Sequence, residues 1–209
     1  MSLDPVVIVG AARTPMGGLA GDFDSVPAPE LGSAAIAEAI KRAGIKAEDI
    51  DDVIMGVVLA AGQKQAPARQ AAIGAGIPKD KGATTINKMC GSGMKATMFA
   101  HDNILAGSHD VMVAGGMESM SNAPYLLPNA RGGMRMGHGE VKDHMFLDGL
   151  EDAYEPGKLM GAYAEATAQS YQFTREAQDE FALRSLDRAQ KASEDGTFAK
   201  EIVPVTVKT

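Results

Sequence analysis

The 209 residues carry 20 basic and 27 acidic side chains and a formal net charge of −7, so a broad nucleic-acid or anionic-membrane surface is not expected. Hydrophobic residues make up 45% of the chain and charged residues 22%, which is typical of a folded globular protein and excludes a disordered polar chain.

Three features of the sequence bear on where the protein is located. The longest apolar run, residues 53–61, is far short of the roughly 18 to 20 residues that cross a bilayer, so no transmembrane helix is expected. The first five residues contain no basic segment, and a secretory signal is therefore not expected. The single cysteine excludes an intrachain disulfide and predicts a reducing, cytoplasmic location.

The first 118 residues alternate between two patterns. Continuous apolar runs rich in β-branched residues predict buried strands, and apolar residues at helical spacing predict helices between them. The strands are expected at residues 5–10, 53–59, 83–87 and 110–114. The helices are expected at residues 29–44, 67–73 and 93–106. Because neighbouring parallel strands need crossover connections, this order predicts an α/β fold with a largely parallel sheet, in which residues 5–10 form a central strand.

The pattern changes at Ser119. A long irregular stretch follows, with the glycine-rich run 131–139, and loops of this length are usually functional, oligomeric or mobile. Helical spacing returns at about 158–171 and again after Thr174, which is a predicted N-cap. Residues 201–207 have the pattern of a strand that has just begun.

Cys90 lies in the turn between the third predicted strand and the helix after it. Helix N-termini favour the reactive thiolate form of cysteine, and their N–H groups can donate to a developing oxyanion. Gly91 and Gly93 leave room for a substrate, so the turn suits acyl transfer. On spacing alone, however, a lone cysteine is more often a small buried hydrophobic residue. No sequence pattern places a base beside it, whether His101, His109, His138 or His144.

Two alternatives remain at this point. Residues 91–96 satisfy the GxGxx(G/A) dinucleotide fingerprint, and Glu118 follows about 27 residues on, so a dinucleotide-binding α/β domain is possible. Against it, the fingerprint follows the third strand rather than the first. The other alternative is a catalytically silent assembly fragment.

Three segments in order carry a family resemblance, and a short segment near the end supports it. Residues 7–15 read VIVGAARTP, residues 86–96 read INKMCGSGMKA, residues 114–121 read AGGMESMS, and residues 201–204 read EIVP. Together they resemble the amino-terminal half of the thiolase family, in particular its acetyl-CoA acetyltransferases. The resemblance covers the whole chain.

The resemblance implies a reaction and a site. Cys90 would be the nucleophile that takes an acyl group from an acyl-CoA and holds it as a thioester, either for Claisen condensation with acetyl-CoA or in thiolysis of a 3-ketoacyl-CoA. Leu150 and Met160 match positions that line the acyl and pantetheine region. Coenzyme A thioesters would be substrates, and no separate cofactor is expected. No Cys/His cluster has ligand spacing, so a metal site is not expected.

The resemblance also implies an architecture and partners. Residues 1–118 would form the amino-terminal core half, layered α/β/α around a mostly parallel mixed sheet, and residues 119–209 a truncated loop domain. Arg131, Arg135 and Lys142 fall at the family's tetramerisation loop, which implies a homo-oligomer, a dimer or tetramer. The family's activating histidine and second cysteine belong to a carboxy-terminal half outside this resemblance. The isolated chain is therefore expected to be inactive, and a separate carboxy-terminal half is a candidate partner. Leu159 replaces a histidine that many biosynthetic members carry, which bears on substrate details.

Overall fold

The structure is a computed structural model that describes residues 5–207. At its centre is a three-stranded parallel sheet in the order β2-β1-β3. The strands are β1 (Asp52–Gly56), β2 (Gly82–Ile86) and β3 (Met112–Gly116). The helices that connect or precede them are α1 (Ala28–Ala43), α2 (Pro67–Gly74) and α3 (Ser92–Leu105). The predicted α/β class with a parallel sheet is confirmed.

The main core lies on one face of β1. Val53 and Met55 alternate with Ile54 along the strand, and successive side chains of a strand point to opposite faces. Val53 and Met55 belong to the buried cluster that includes Ile36 of α1 and Ala71 of α2, whereas Ile54 lies outside that cluster. α1 and α2 therefore cover one face of the sheet, and α3, which packs on β1 and β3, covers the other.

The predicted central strand at residues 5–10 is wrong. This segment forms no strand, and the side chains of Val7, Ile8 and Val9 are 67%, 83% and 60% exposed. The segment lies alongside the end of α1, where a Cβ on Gly10 would lie 3.0 Å from the Cβ of Ala43. The apolar pattern matches a strand buried on both faces, but within residues 5–207 this segment has no neighbouring strand in register with it.

A cavity of about 510 Å³ separates this segment from β3, and we call it the edge cavity. Its walls come from residues 6–12, from α1 and α3, and from residues 111–116. Because β3 pairs only with β1 in the described part of the chain, its outer edge faces this cavity.

After the sheet, the chain forms a series of short elements and two helices. β4 (Tyr125–Leu126) pairs with β5 (Lys142–Asp143) in an antiparallel ribbon, and a π-helix covers Phe146–Leu150. The helices are α4 (Met160–Ser170) and α5 (Arg175–Glu194). The Thr174 hydroxyl accepts the Ala177 N–H at 3.1 Å, which confirms the predicted N-cap. Neither helix has a buried residue, so this region builds no core of its own within residues 119–207.

Arg42 connects both ends of the described chain to α1. Its guanidinium donates to the carbonyls of Ala11, Lys200, Glu201 and Ile202 at 2.8–3.0 Å. The predicted strand at 201–207 is reduced to a single bridge between Arg13 and Ile202, because only that residue meets an extended neighbour.

The proposed domain limits, 1–118 and 119–209, stay predictions, and their ends at 1–4 and 208–209 lie outside the described residues. Over residues 5–207, no helix combines the length and apolarity that a bilayer crossing requires.

Candidate active site

Cys90 lies in a turn that two neighbouring side chains hold in place with three hydrogen bonds. The residue before it, Met89, has a φ of +50°, in the left-handed region that a side chain disfavours. The Ser92 hydroxyl donates to the Met89 carbonyl at 2.6 Å and accepts the Lys88 N–H at 2.9 Å. The Asn87 side-chain oxygen accepts the Met89 N–H at 2.9 Å. These bonds fix the turn, and Cys90 is exposed, two residues before α3 begins.

Close backbone approaches seat the start of α3 on the sheet. A Cβ on Gly56, the last residue of β1, would lie 2.7 Å from the Ser92 carbonyl carbon and 2.9 Å from the Gly93 nitrogen. A Cβ on Gly116, the last residue of β3, would lie 3.4 Å from the Gly93 Cα. Glycine is therefore required at Gly56, because any side chain there would displace the turn that carries Cys90.

A cavity of about 370 Å³ opens beside Cys90, and we call it the Cys90 cavity. It lies at the carboxyl ends of β1 and β3, where ligands bind in many open α/β sheets. Its lining combines the ends of two strands with the turn, and consists of Gly56, Val58, Met89, Cys90, Ser92, Gly93, Gly116, Met117 and Glu118.

Glu118 has a role that the sequence analysis missed. Its carboxylate oxygens accept the N–H groups of Val58 and Leu59 at 2.9 and 3.0 Å. In a dinucleotide-binding domain, the corresponding acidic residue would accept a ribose hydroxyl. Here both carboxylate oxygens accept backbone N–H groups instead. A contact between residues 60 positions apart leaves no local pattern that could have predicted it.

His144 is buried and lies away from the Cys90 cavity. Its Nδ1 is 2.6 Å from an oxygen of Asp148, and its Nε2 accepts the Ala61 N–H at 3.4 Å. A backbone N–H can only donate, so the ring proton belongs on Nδ1, an assignment made from these partners. The pair attaches residues 144–148 to the loop that follows β1.

The other described histidines also lie outside the lining of the Cys90 cavity. His101 pairs with the neighbouring Asp102, and His109 lies 3.9 Å from Asp52, at the opposite end of the sheet. His138 is exposed in the glycine-rich loop. None of these histidines is among the lining residues of the Cys90 cavity.

Leu150 and Met160 flank an antiparallel bridge between Glu151 and Leu159, and neither lines the Cys90 cavity. Leu150 is partly buried, and Met160 is 45% exposed. The segment also reaches the end of β1, because a Cβ on Gly149 would lie 3.2 Å from Leu59 Cδ2.

The basic residues of the long loop form no part of this site. Arg131 and Arg135 are exposed, and Lys142 forms an ion pair with Glu140 at 2.6 Å, which raises the pKa of Lys142. Across residues 5–207, no group of three His, Cys, Asp or Glu side chains has the geometry of a metal site.

Residues 6–209 match the family described as Thiolase, N-terminal domain. The chain belongs to the thiolase family. Its similarity to Acetyl-CoA acetyltransferase of Cupriavidus necator is 52% identity over 202 residues, which covers 97% of this chain and 51% of that protein. Acetyl-CoA acetyltransferase 2 of Arabidopsis thaliana is 54% identical over 202 residues, with 97% and 50% covered. Acetyl-CoA acetyltransferase ERG10, cytosolic, of Gibberella zeae is 49% identical over 206 residues, with 99% and 52% covered.

The thiolase resemblance inferred from the motifs is therefore confirmed. The chain spans about half the length of these curated relatives. The comparison identifies the family and does not assign a role to Cys90, Leu150 or Met160.

Proposed function

We propose that this chain carries the nucleophile of an acetyl-CoA acetyltransferase. The supporting observation is the position of Cys90, exposed beside a cavity at the carboxyl ends of two parallel strands. CoA thioesters are the substrates, and no further cofactor takes part. The Sγ thiolate of Cys90 attacks the thioester carbonyl of an acyl-CoA and forms an oxyanion. When this intermediate collapses, CoA leaves as its thiolate and the acyl group stays on Cys90.

The second half-reaction consumes the acyl-cysteine. In condensation, the α-carbanion of acetyl-CoA attacks the acyl-cysteine carbonyl and releases the Cys90 thiolate with a 3-ketoacyl-CoA. In thiolysis, Cys90 attacks the 3-keto carbon of a 3-ketoacyl-CoA, the bond between C2 and C3 breaks, and the acetyl-CoA carbanion leaves and takes a proton. The thiolate of CoA then attacks the acyl-cysteine and releases an acyl-CoA and the Cys90 thiolate. Both directions need a proton-transfer group, and the Cys90 cavity contains no histidine among its described lining residues.

Leu150 and Met160 are proposed to contact the acyl chain and the pantetheine arm. The support is their position on either side of the Glu151 and Leu159 bridge, together with the close approach of Gly149 to Leu59. Leu59 directly follows Val58, which lines the Cys90 cavity.

Acylation of Cys90 is the test of this function. Incubated with excess acetyl-CoA, the chain is expected to gain one acetyl group, measured by intact mass, because Cys90 is the only thiol that can hold it as a thioester. Cys90→Ala is expected to gain none, and hydroxylamine is expected to remove the group from the unsubstituted chain. Acetylation that persists in Cys90→Ala would contradict the assignment. So would no acetylation of a thiol that iodoacetamide still alkylates.

Two further proposals concern partners. A homo-oligomer, dimer or tetramer, assembles through the loop around Arg131, and a separate carboxy-terminal half completes the site. The support is the exposed loop around Arg131 for the oligomer and the uncovered apolar surface of α3, where Met94, Met98 and Phe99 are exposed, for a second chain. Sedimentation velocity of the chain, alone and mixed with such a half, measures both, and a persistent monomer in both samples would exclude them.

A cytoplasmic location is also proposed. It rests on the single unpaired cysteine, which suits a reducing compartment. A fluorescent fusion that co-fractionates with organelles or membranes would contradict it.

A further inference from the structure

Two carboxylates hold the two ends of β1 against the ends of β3. Glu118 follows β3 and accepts the N–H groups of Val58 and Leu59, just after β1. Asp51 precedes β1 and accepts the N–H groups of Asp110 and Val111 at 2.8 and 2.9 Å, just before β3. These N–H groups hold the pKa of the Asp51 carboxyl below its usual range. Asp51 accepts both N–H groups with Oδ2, whereas Glu118 accepts one with each oxygen, and only Glu118 lines the Cys90 cavity.

The backbone that Glu118 holds connects two parts of the candidate site. Val58 lines the Cys90 cavity, and Leu59 is 3% exposed and lies against the segment that carries Gly149. Two residues later, the Ala61 N–H donates to His144. Any movement of residues 58–61 would therefore move the cavity wall and the support of the segment that ends at Leu150.

We propose that Glu118 is a positioning residue that sets the shape of the Cys90 cavity through the backbone of Val58 and Leu59. This inference deepens the proposed function, since the cavity is where the acyl group would lie. Glu118 touches no reacting atom in this role, because both of its oxygens accept backbone N–H groups. Glutamine is nearly isosteric, yet it must present an NH₂ group to one of the two N–H donors, so Glu118→Gln releases one side of this contact.

The shape of the cavity can be measured without turnover or CoA. Cys90 is the single cysteine, so maleimides report on it alone. The probes are N-ethylmaleimide and the bulkier N-cyclohexylmaleimide, and the readout is the ratio of their second-order rates. Both reagents are neutral and react with the same thiolate, so the ratio cancels any change in the thiolate fraction and retains the steric effect. In Glu118→Gln, we expect the ratio to shift towards the bulkier reagent by about fivefold, because the released wall gives way.

Asp51→Ala is the matched control, since it removes the acceptor of both N–H groups at the far end of β1, whereas an asparagine would keep both on its single side-chain oxygen. Both variants are expected to unfold at a temperature lower by about 2–8 °C, but the rate ratio of Asp51→Ala should stay within about twofold of that of the unsubstituted chain. If Glu118→Gln does not fold, Glu118→Asp replaces it, because its shorter side chain cannot reach both N–H groups and the same shift is expected. Equal ratios in every folded variant would overturn the proposal and leave Glu118 as a stabilising contact only. A shifted ratio in a chain that acetyl-CoA does not acylate would support the positioning role and contradict the proposed function.

Discussion

Gly56→Ala is expected to destabilise the fold by about 2–3 kcal/mol and to displace Cys90. The added Cβ would lie 2.7 Å from the Ser92 carbonyl carbon and 2.9 Å from the Gly93 nitrogen. These are backbone atoms of the first turn of α3, so no side-chain rotation can relieve the contact, and α3 must move off the end of β1. Urea unfolding measures the stability. The rate at which iodoacetamide alkylates Cys90 in the folded protein, without denaturant, measures the displacement.

Gly18→Ala is the control for this substitution. No atom lies within 4 Å of the position its Cβ would take, and its backbone does not have a positive φ. We expect a change in unfolding free energy within about 0.5 kcal/mol and an unchanged alkylation rate. If Gly56→Ala behaves like Gly18→Ala, the close seating of α3 on β1 is not what holds the Cys90 turn.

The second large effect concerns turnover. The 209-residue chain alone is expected to accept an acetyl group on Cys90 and to form no measurable acetoacetyl-CoA from acetyl-CoA. Loss of a general base alone reduces a rate by about 10²- to 10⁴-fold, and the described lining of the Cys90 cavity offers no histidine to fill that role. The measurement is the enolate absorbance of acetoacetyl-CoA with Mg²⁺, followed in both directions.

A complementation experiment separates this expectation from a misfolded preparation. The carboxy-terminal half of the Cupriavidus necator relative, expressed separately, is added to the chain and, in parallel, to Cys90→Ala. Turnover is expected only in the first mixture. Robust turnover by the chain alone, after removal of any full-length contaminant, would show that the residues already present supply the proton transfer.

Local patterns predicted the elements whose neighbours lie within the described chain. β1, β2, β3 and the helices between them follow from apolar runs and helical spacing, because each of them packs against another of these elements. The segment 5–10 has the same pattern as those strands and forms none. An apolar run records that a segment is selected for burial, and it does not specify which neighbour provides that burial.

The candidate site divides in the same way. The glycines around Cys90 indicated a tight turn, and the structure contains it. The contact of Glu118 with Val58 and Leu59, and that of His144 with Ala61, join residues far apart in sequence. Such contacts depend on the relative placement of several elements, which neither periodicity nor residue spacing encodes.

The edge cavity has a practical consequence for the chain in solution. Along β3 the backbone N–H and C=O groups on the outer side have no strand beside them within residues 5–207, and apolar residues of α1 and α3 flank this edge. Backbone hydrogen bonding does not depend on side-chain identity, so such an edge accepts extended polypeptide of many sequences. During synthesis or refolding it would pair with whichever chain arrives first. The yield of native protein then depends on chain concentration, because intermolecular pairing competes with folding.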